Sequence, residues 1–183
     1  MKRIATLSCA IVLAAAWPAA AQSKVVAEAL QRAHAGAFRN LVESAEKMPE
    51  ADYSFQATKD IRPFGGFIGH VVNSSYNSCS RAKGEQNPNK EDFEKNPPPK
   101  AKLVEAIKAA QAYCDAVYAA QTDASLSEMI PAGQQQIPRG QVLIGNVAHN
   151  NNEYGQIVLL LRLKGLVPPS TERATMGGRR GGQ

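Results

Sequence analysis

Apolar residues recur along four stretches of the chain at the three-and-four spacing that places them on one face of a helix. Strong helix formers fill the positions between them, and no stretch alternates for long with the two-residue period of a strand. The four predicted helices span residues 24–47, about 63–83, 100–121 and 139–164. Helices of about 20 residues, each with one apolar stripe, bury those stripes best against one another. The pattern therefore predicts an all-α fold, a four-helix bundle.

Glycine and proline mark the ends of the predicted helices. Gly84 stops the second helix and Gly165 follows the fourth as its C′ residue, since glycine adopts the left-handed conformation that ends a helix. Three consecutive prolines, 97–99, lie in the connection before the third helix, where no regular element would survive them. A second long connection, 122–138, precedes the fourth helix. Because these connections are long, the helices need not alternate up and down.

The first residues have the organisation of a secretory signal peptide. Two basic residues precede an apolar run over residues 4–16, and Ala19 and Ala21 occupy the −3 and −1 positions of a cut before Gln22. A membrane anchor is the alternative, but the run is shorter than the roughly 20 residues that cross a bilayer, and no second candidate span follows. We therefore expect a cleaved signal over residues 1–21, a periplasmic or secreted location and no stable membrane insertion.

Charge and composition narrow the range of partners. Without residues 1–21, which carry two basic and no acidic residues, the formal net charge falls from +5 to +3. So mild an excess, in a chain with few aromatic residues, does not indicate nucleic-acid binding. The end of the chain, 172–183, is rich in Gly and Arg and short of apolar side chains, so we expect a disordered tail after a domain that spans residues 22–171. The oligomeric state stays open, a homodimer included.

Two cysteines remain after the expected cleavage, Cys79 and Cys114. In an oxidising compartment such a pair favours one disulfide, which here would join the second helix to the third. Two separate buried thiols are the alternative. Neither cysteine has the CxxC neighbour that a redox or zinc motif uses.

The fourth helix carries a polar block within an otherwise apolar stripe. By the three-and-four spacing, its seam residues are Val142, Asn146, His149, Glu153, Gln156, Leu160 and Leu163. Polar groups in a buried seam cost several kcal/mol unless each finds a partner. His149 and Glu153 lie one turn apart and point the same way, so a metal ion is a partner that would account for both. A surface ion pair between the two side chains is the alternative.

The second helix offers a third ligand, His70. It lies on the same side of the helix as Ser74 and Asn77, and it precedes a run unusually rich in polar residues, 73–78. Two imidazoles and one carboxylate leave coordination positions open for water or substrate. This ligand set suits zinc, nickel, iron or manganese without choosing among them. His34 in the first helix has no such companions, so we interpret it as structural or exposed.

The chain resembles the DinB-like proteins, and in particular an exported group among them. The likeness rests on His70 after the segment 62–66, and on the run 149–170 with its Gly-x-Val-Pro-Pro exit. The segment 48–55 also fits the exported group. The resemblance covers about residues 24–171 and leaves out both ends of the chain.

This resemblance implies a four-helix bundle with a metal held by three histidines, one in the second helix and two in the last at H-x-x-x-H spacing. The first two ligands fall on His70 and His149, whereas the third falls on position 153, where this chain has Glu. The departure keeps a ligand but changes its charge and hardness. Members with known activity resemble thiol-dependent transferases and related metal enzymes, while many members have no assigned reaction.

Two functions are compatible with these observations. The first is a metal-dependent enzyme, a hydrolase or a thiol transferase acting on a small molecule, in which Tyr154, Asn146 and Asn77 would hydrogen-bond to a metal ligand or to the substrate. The second is a non-catalytic binding or stress-response module whose metal is structural or absent, and the glutamate at position 153 favours it. The sequence contains no nucleophile elbow, phosphate loop or redox cysteine pair.

Overall fold

The computed structural model describes residues 23–180, so the expected signal peptide and the last three residues lie outside the described part of the chain. The helices are α1 (Val25–Lys47), α2 (Phe64–Lys83), α3 (Lys100–Ala119), α4 (Asp123–Ser127), α5 (Arg139–Leu163) and α6 (Pro169–Arg180). Two short strands, β1 (Met129–Ala132) and β2 (Gln135–Pro138), form an antiparallel hairpin. Within residues 23–180, no helix is both long and apolar enough to span a bilayer.

The four long helices form the bundle that the sequence predicts, and their bounds match the predicted ones to within two residues. Helices α1 and α2 each pack against both α3 and α5. Although α1 and α2 are consecutive in the chain, they therefore lie diagonally across the bundle. The long connection between them, which contains a 3-10 turn at Glu50–Asp52, makes this arrangement possible. The all-α fold class is confirmed.

The core divides into two apolar clusters stacked along the bundle. One surrounds Phe38, Ile68 and Leu161, and the other surrounds Tyr118 and Leu143. On both α2 and α5 a buried polar residue separates the two clusters. These residues are Ser75 and Asn150, and the Asn150 Nδ2 donates a hydrogen bond to the Ser75 Oγ at 3.3 Å. The bonded pair satisfies polar groups that would otherwise destabilise the interior.

A disulfide joins α2 to α3 inside the second cluster. Cys79 and Cys114 are both fully buried, and their Cα atoms lie 5.5 Å apart. The structure therefore contains the bridge that the pair of cysteines predicts, and it crosslinks two neighbouring helices of the bundle.

Capping groups define the helix ends. Gly84 and Gly165, predicted as stops, follow α2 and α5 with φ values of 78° and 73°, a conformation that glycine adopts without a steric penalty. The start of α1 is capped from far away in the sequence, because the Asp123 carboxylate accepts hydrogen bonds from the Ala27 amide at 2.9 Å and the Ser23 hydroxyl at 2.5 Å. These hydrogen bonds lower the pKa of the Asp123 carboxyl, and the bond from Ser23 is the largest cause.

The segment 122–138 is more ordered than a plain connection. It folds into the short helix α4 and the β1–β2 hairpin, which pairs Met129 with Pro138 and Ala132 with Gln135. Gly133 takes a φ of 64° in the hairpin turn, where a residue with a side chain would be strained. Four-residue strands are too short to produce a detectable alternation in the sequence.

The chain beyond residue 171 differs from the expected disordered tail. Residues 172–180 belong to α6, and the first part of this helix packs against α1. Arg173 pairs with Glu43 and Asn40, and Lys47 pairs with Glu172. Charged contacts with α1 thus replace the apolar burial whose absence led to the prediction of disorder.

The buried stripe of α5 is broader than the predicted seam and is rotated from it. Asn146, Glu153 and Leu160 are buried as expected, but Gln156 is exposed and Leu163 is 54% exposed, so the seam prediction is wrong at those two positions. A straight helix with 3.6 residues per turn drifts by about 20° in every seven residues, which carries the spacing 149, 156 and 163 out of the core. Contact with both α1 and α2 widens the buried stripe on the other side.

Candidate metal centre

Three predicted ligands meet between α2 and α5. His70 lies in the second turn of α2, and its side chain is 22% exposed. His149 and Glu153 lie one turn apart on α5, with side chains 31% and 8% exposed. Since α2 and α5 are neighbours in the bundle, all three side chains point into the same space at the edge of the core.

The separations of the ligand atoms fit one small ion. The Nε2 atoms of His70 and His149 lie 2.9 Å apart, and the Glu153 Oε1 lies 3.9 Å from the first and 3.6 Å from the second. A point equidistant from three atoms at these separations lies about 2.0 Å from each, which matches the 2.0–2.2 Å bonds of zinc to imidazole nitrogen and carboxylate oxygen. These three residues could hold a metal ion.

Hydrogen bonds on the far side of each imidazole direct its lone pair toward this point. The Nδ1 of His70 donates to the Glu94 Oε2 at 2.7 Å, because a carboxylate only accepts. The Nδ1 of His149 lies 3.3 Å from the Asn150 Oδ1 and 3.4 Å from the Ser74 Oγ. Both oxygens can accept, because the Ser74 hydroxyl donates to the Val71 carbonyl. Both Nε2 atoms then face Glu153 as acceptors. Three converging acceptors repel one another unless a cation lies among them.

Glu153 carries a further sign of a missing partner. Its carboxylate is buried beside α2, and its Oε2 has no hydrogen-bond partner among the described residues. A buried carboxylate without a compensating charge is costly. The donor set and its geometry therefore fit a divalent ion.

Two residues that the sequence analysis did not single out complete the surroundings of His70. Glu94, in the connection between α2 and α3, accepts from His70 through one carboxylate oxygen and from the Arg62 Nε at 2.6 Å through the other. Partial burial raises the pKa of Glu94, but the hydrogen bonds from His70 and Arg62 outweigh it, so the pKa lies below its ordinary value. The guanidinium of Arg62 also lies over the Phe67 ring, 5.7 Å from its centroid.

A cleft of about 540 Å³ opens beside the three ligands. It shares Glu153 with them and is otherwise lined by Asp60, Ile61, Arg62, Phe67, Asn152 and Gln156. The lining is mostly polar, with charged and amide groups around the apolar side chains of Ile61 and Phe67, so the cleft offers more hydrogen-bonding groups than apolar surface.

Tyr154, Asn146 and Asn77, which were predicted to hydrogen-bond to a metal ligand or to the substrate, have other surroundings in the structure. The Tyr154 hydroxyl donates to the Ser170 Oγ at 2.7 Å and accepts from the Ser170 amide, so it anchors the start of α6. The Asn146 Nδ2 donates to the Tyr118 hydroxyl at 3.1 Å in the second cluster. Asn77 is exposed two turns beyond His70. The rotation of the α5 stripe explains the first, because it turns Tyr154 into the core, whereas Asn146 is buried on the predicted seam.

His34 is a buried structural residue, which is one of the two interpretations that the sequence allowed, the other being an exposed residue. Its buried ring stacks on Tyr118 with centroids 4.0 Å apart, and its Nε2 lies 3.0 Å from the Asp115 Oδ1. Burial lowers the pKa of His34, although Asp115 acts in the opposite direction. The ring is thus neutral near pH 7 and belongs to the second cluster.

Comparison with known proteins agrees with the bundle fold. The family model described as the DinB superfamily matches residues 33–157. A DinB-like protein of Bacillus cereus has a similar structure, with a TM-score of 0.66 and 16% identity over 78% of this chain and 95% of that one. A DinB-like protein of Bacillus subtilis gives a TM-score of 0.62 and 18% identity over 75% and 92% of the two chains.

The mycothiol-dependent maleylpyruvate isomerase is also similar, with a TM-score of 0.57 and 12% identity over 72% of this chain and 60% of the isomerase. At these levels of identity the likeness concerns the fold alone. No curated protein sequence matches the chain significantly.

Proposed function

The chain belongs to the DinB superfamily, and we propose that it is an exported metal-dependent enzyme in which His70, His149 and Glu153 hold one divalent ion. One observation carries the proposal, namely the convergence of two imidazole nitrogens and a carboxylate oxygen at separations that a single ion spans. The alternative, a surface ion pair between His149 and Glu153, does not explain why His70 lies as close to His149 as a hydrogen-bonded partner.

The exposure of the site favours catalysis over a purely structural metal. Structural zinc sites are closed by four protein ligands, whereas catalytic sites keep a position open. Here three ligands converge, both imidazoles are partly exposed, and a cleft adjoins Glu153. A divalent ion with an open position supplies a Lewis acid that polarises an electrophile and lowers the pKa of a water or a thiol.

The residues of the cleft then bind and orient a small substrate. Phe67 and Ile61 offer apolar surface, while Asn152 and Gln156 offer amide hydrogen bonds. Arg62 supplies a cation at the boundary between the cleft and Glu94. Hydrolysis and thiol transfer both suit this arrangement. The dependence of the similar isomerase on mycothiol makes thiol transfer worth testing, although export to an oxidising compartment argues against a cytosolic thiol as the partner.

The proposal is tested by the metal content of the mature protein, purified without an affinity tag. Elemental analysis should find about one equivalent of a divalent metal after reconstitution, and His149→Ala should lose it. Asn151→Ala is the matched control, because Asn151 is exposed on the same helix and, among the described residues, its side chain bonds only to the Val147 carbonyl. Equal metal content in all three proteins, or none in the wild type, contradicts the proposal.

Substitution of the metal with Co²⁺ then distinguishes a metal-dependent enzyme from a non-catalytic module. An ion with an open position should change its visible spectrum when a small thiol such as 2-mercaptoethanol, or an anion such as azide, is added. A spectrum that responds to neither ligand would indicate a closed, structural metal, and a binding or stress-response role would then replace the enzyme.

A further inference from the structure

We infer that Glu94 is the positioning residue of the metal centre, held against His70 by the docking of the segment 85–99 on α2. The inference rests on the proposed function, because it concerns how one ligand of that centre is oriented. The connection before α3 is thereby part of the site. The metal would depend on three segments of the chain, of which only two supply ligands.

The contact between Glu94 and His70 determines which nitrogen faces the metal position. A 2.7 Å bond to a carboxylate requires a proton on Nδ1, and in the neutral ring this leaves the lone pair on Nε2. That Nε2 is the atom that lies near His149 and Glu153. Carboxylate partners of this kind fix the ring orientation of ligating histidines and increase their basicity.

The position of Glu94 depends on Gly69, the residue just before His70. A methyl group on Gly69 would overlap the Phe93 carbonyl and would lie 2.9 Å from the Glu94 amide nitrogen. Only glycine therefore allows the backbone of residues 93–94 to reach this turn of α2. Glycine inside a helix costs about 1 kcal/mol relative to alanine, and the close approach gives this one a structural reason.

Asn73, one turn after Gly69, fastens the same segment. Its Nδ2 donates to the Asp92 Oδ1 at 2.9 Å, and its Oδ1 accepts from the Asn89 side chain at 3.2 Å and the Phe93 amide at 3.3 Å. The Phe93 side chain is buried in the first apolar cluster. The segment that delivers Glu94 is thus held by packing and by hydrogen bonds on both sides of the close approach.

Arg62 fixes Glu94 from the opposite side. It donates from Nε to the Glu94 oxygen that His70 does not use, so both carboxylate oxygens are engaged. Arg62 comes from the connection just before α2 and stacks over Phe67. Both hydrogen bonds to Glu94 are charge-assisted, so its carboxylate is already fixed before a metal binds. A carboxylate that is fixed in advance can orient the His70 ring without a further loss of conformational freedom.

The test measures metal affinity in Glu94 variants by competition with a chromophoric chelator, using Zn²⁺ alone as the probe. Loss of such a carboxylate partner typically weakens metal binding about 10–100-fold, and we expect a graded loss from Glu94→Gln to Glu94→Ala. The control is Glu91→Gln, which removes an exposed carboxylate of the same segment whose one ion pair within residues 23–180 is with Lys102. We expect the control to bind Zn²⁺ as the wild type does.

A second pair of variants tests the docking without changing any side chain that contacts a ligand. Gly69→Ala should displace residues 93–94 and weaken Zn²⁺ binding as Glu94→Ala does. Gly155→Ala is its control, because Gly155 lies on α5 two residues after Glu153 and a methyl group there meets open space. Circular dichroism must show the helical signal of the wild type, and if Gly69→Ala fails to fold, the Glu94 series decides.

The ¹⁵N chemical shifts of His70 in the metal-free protein keep this inference distinct from the proposed function. The wild type should show the Nδ1–H form, and Glu94→Gln should shift the ring toward a mixture of tautomers. Zn²⁺ affinity within twofold of the wild type and an unchanged tautomer in Glu94→Ala would overturn the inference while leaving the metal site intact. If the wild type bound no Zn²⁺ but its tautomer still depended on Glu94, the proposed function would fail and the positioning of His70 would stand.

Discussion

Reduction of the Cys79–Cys114 disulfide should destabilise the bundle by an amount that follows from the loop it closes. The two cysteines are 35 residues apart. A crosslink that closes a loop of this length lowers the entropy of the unfolded chain enough to contribute about 4 kcal/mol at 25 °C. For a domain of about 150 residues, that difference corresponds to roughly 8–16 °C in the midpoint of thermal unfolding.

The assay compares oxidised and fully reduced wild-type protein in urea at pH 7, with a thiol-reactive dye to count free cysteines. Reduction leaves the same side chains in the core, so it avoids the cavity that a Cys→Ala change would create. A loss of less than about 1 kcal/mol would show that the unfolded chain is not constrained as the loop length implies. Two free thiols in the oxidised sample would show that the bridge does not form.

Three further predictions concern other parts of the chain. Asp123→Asn should destabilise the protein at neutral pH. Because the pKa of Asp123 is lower in the folded protein than in the unfolded chain, its carboxylate contributes to stability above the unfolded-state pKa, and this contribution is lost as the pH falls through the folded-state pKa. Urea unfolding at several pH values should therefore show the difference from wild type shrinking below about pH 4. Glu153→His should shift metal preference toward softer divalent ions, measured by competition between Zn²⁺ and Mn²⁺, and unchanged selectivity would contradict a role for Glu153 as a ligand. Mass spectrometry of periplasmic protein should find a mature start at Gln22 or within a residue or two, and retention of Met1 in a cytoplasmic pool would refute export.

The sequence predicts the four long helices well because their signals are local. Apolar periodicity, helix propensity and the stops at Gly84 and Gly165 all act within one turn of the residues concerned. The hairpin at 129–138 escaped prediction because each strand has only four residues and prolines interrupt the pattern. The packing of α6 against α1 was not predicted either, because it depends on charged partners on α1 that are more than 100 residues away in the chain.

In the candidate site, too, the residues placed by local geometry were easier to predict than those placed by tertiary contacts. His149 and Glu153 are one helical turn apart, so their convergence follows from local geometry, whereas the approach of His70 depends on α2 and α5 being neighbours. Glu94 was missed because its place depends on a tertiary contact. A signal for it did exist in the sequence, since Gly69 lies inside a helix and directly before a candidate ligand, where a glycine indicates close approach of another backbone.

The contacts of α6 differ along its length, and this gives the end of the chain a dependence on ionic strength. Its start is held by the hydroxyl of Tyr154, whereas Glu172 and Arg173 are held by ion pairs that are partly open to solvent. The Debye length shrinks from about 10 Å at 0.1 M salt to about 3 Å at 1 M, so these pairs weaken in concentrated salt while the hydroxyl contact does not. The length of ordered chain beyond the bundle therefore varies with the salt concentration of the medium, and cleavage by trypsin after Arg173 should accelerate as salt is added.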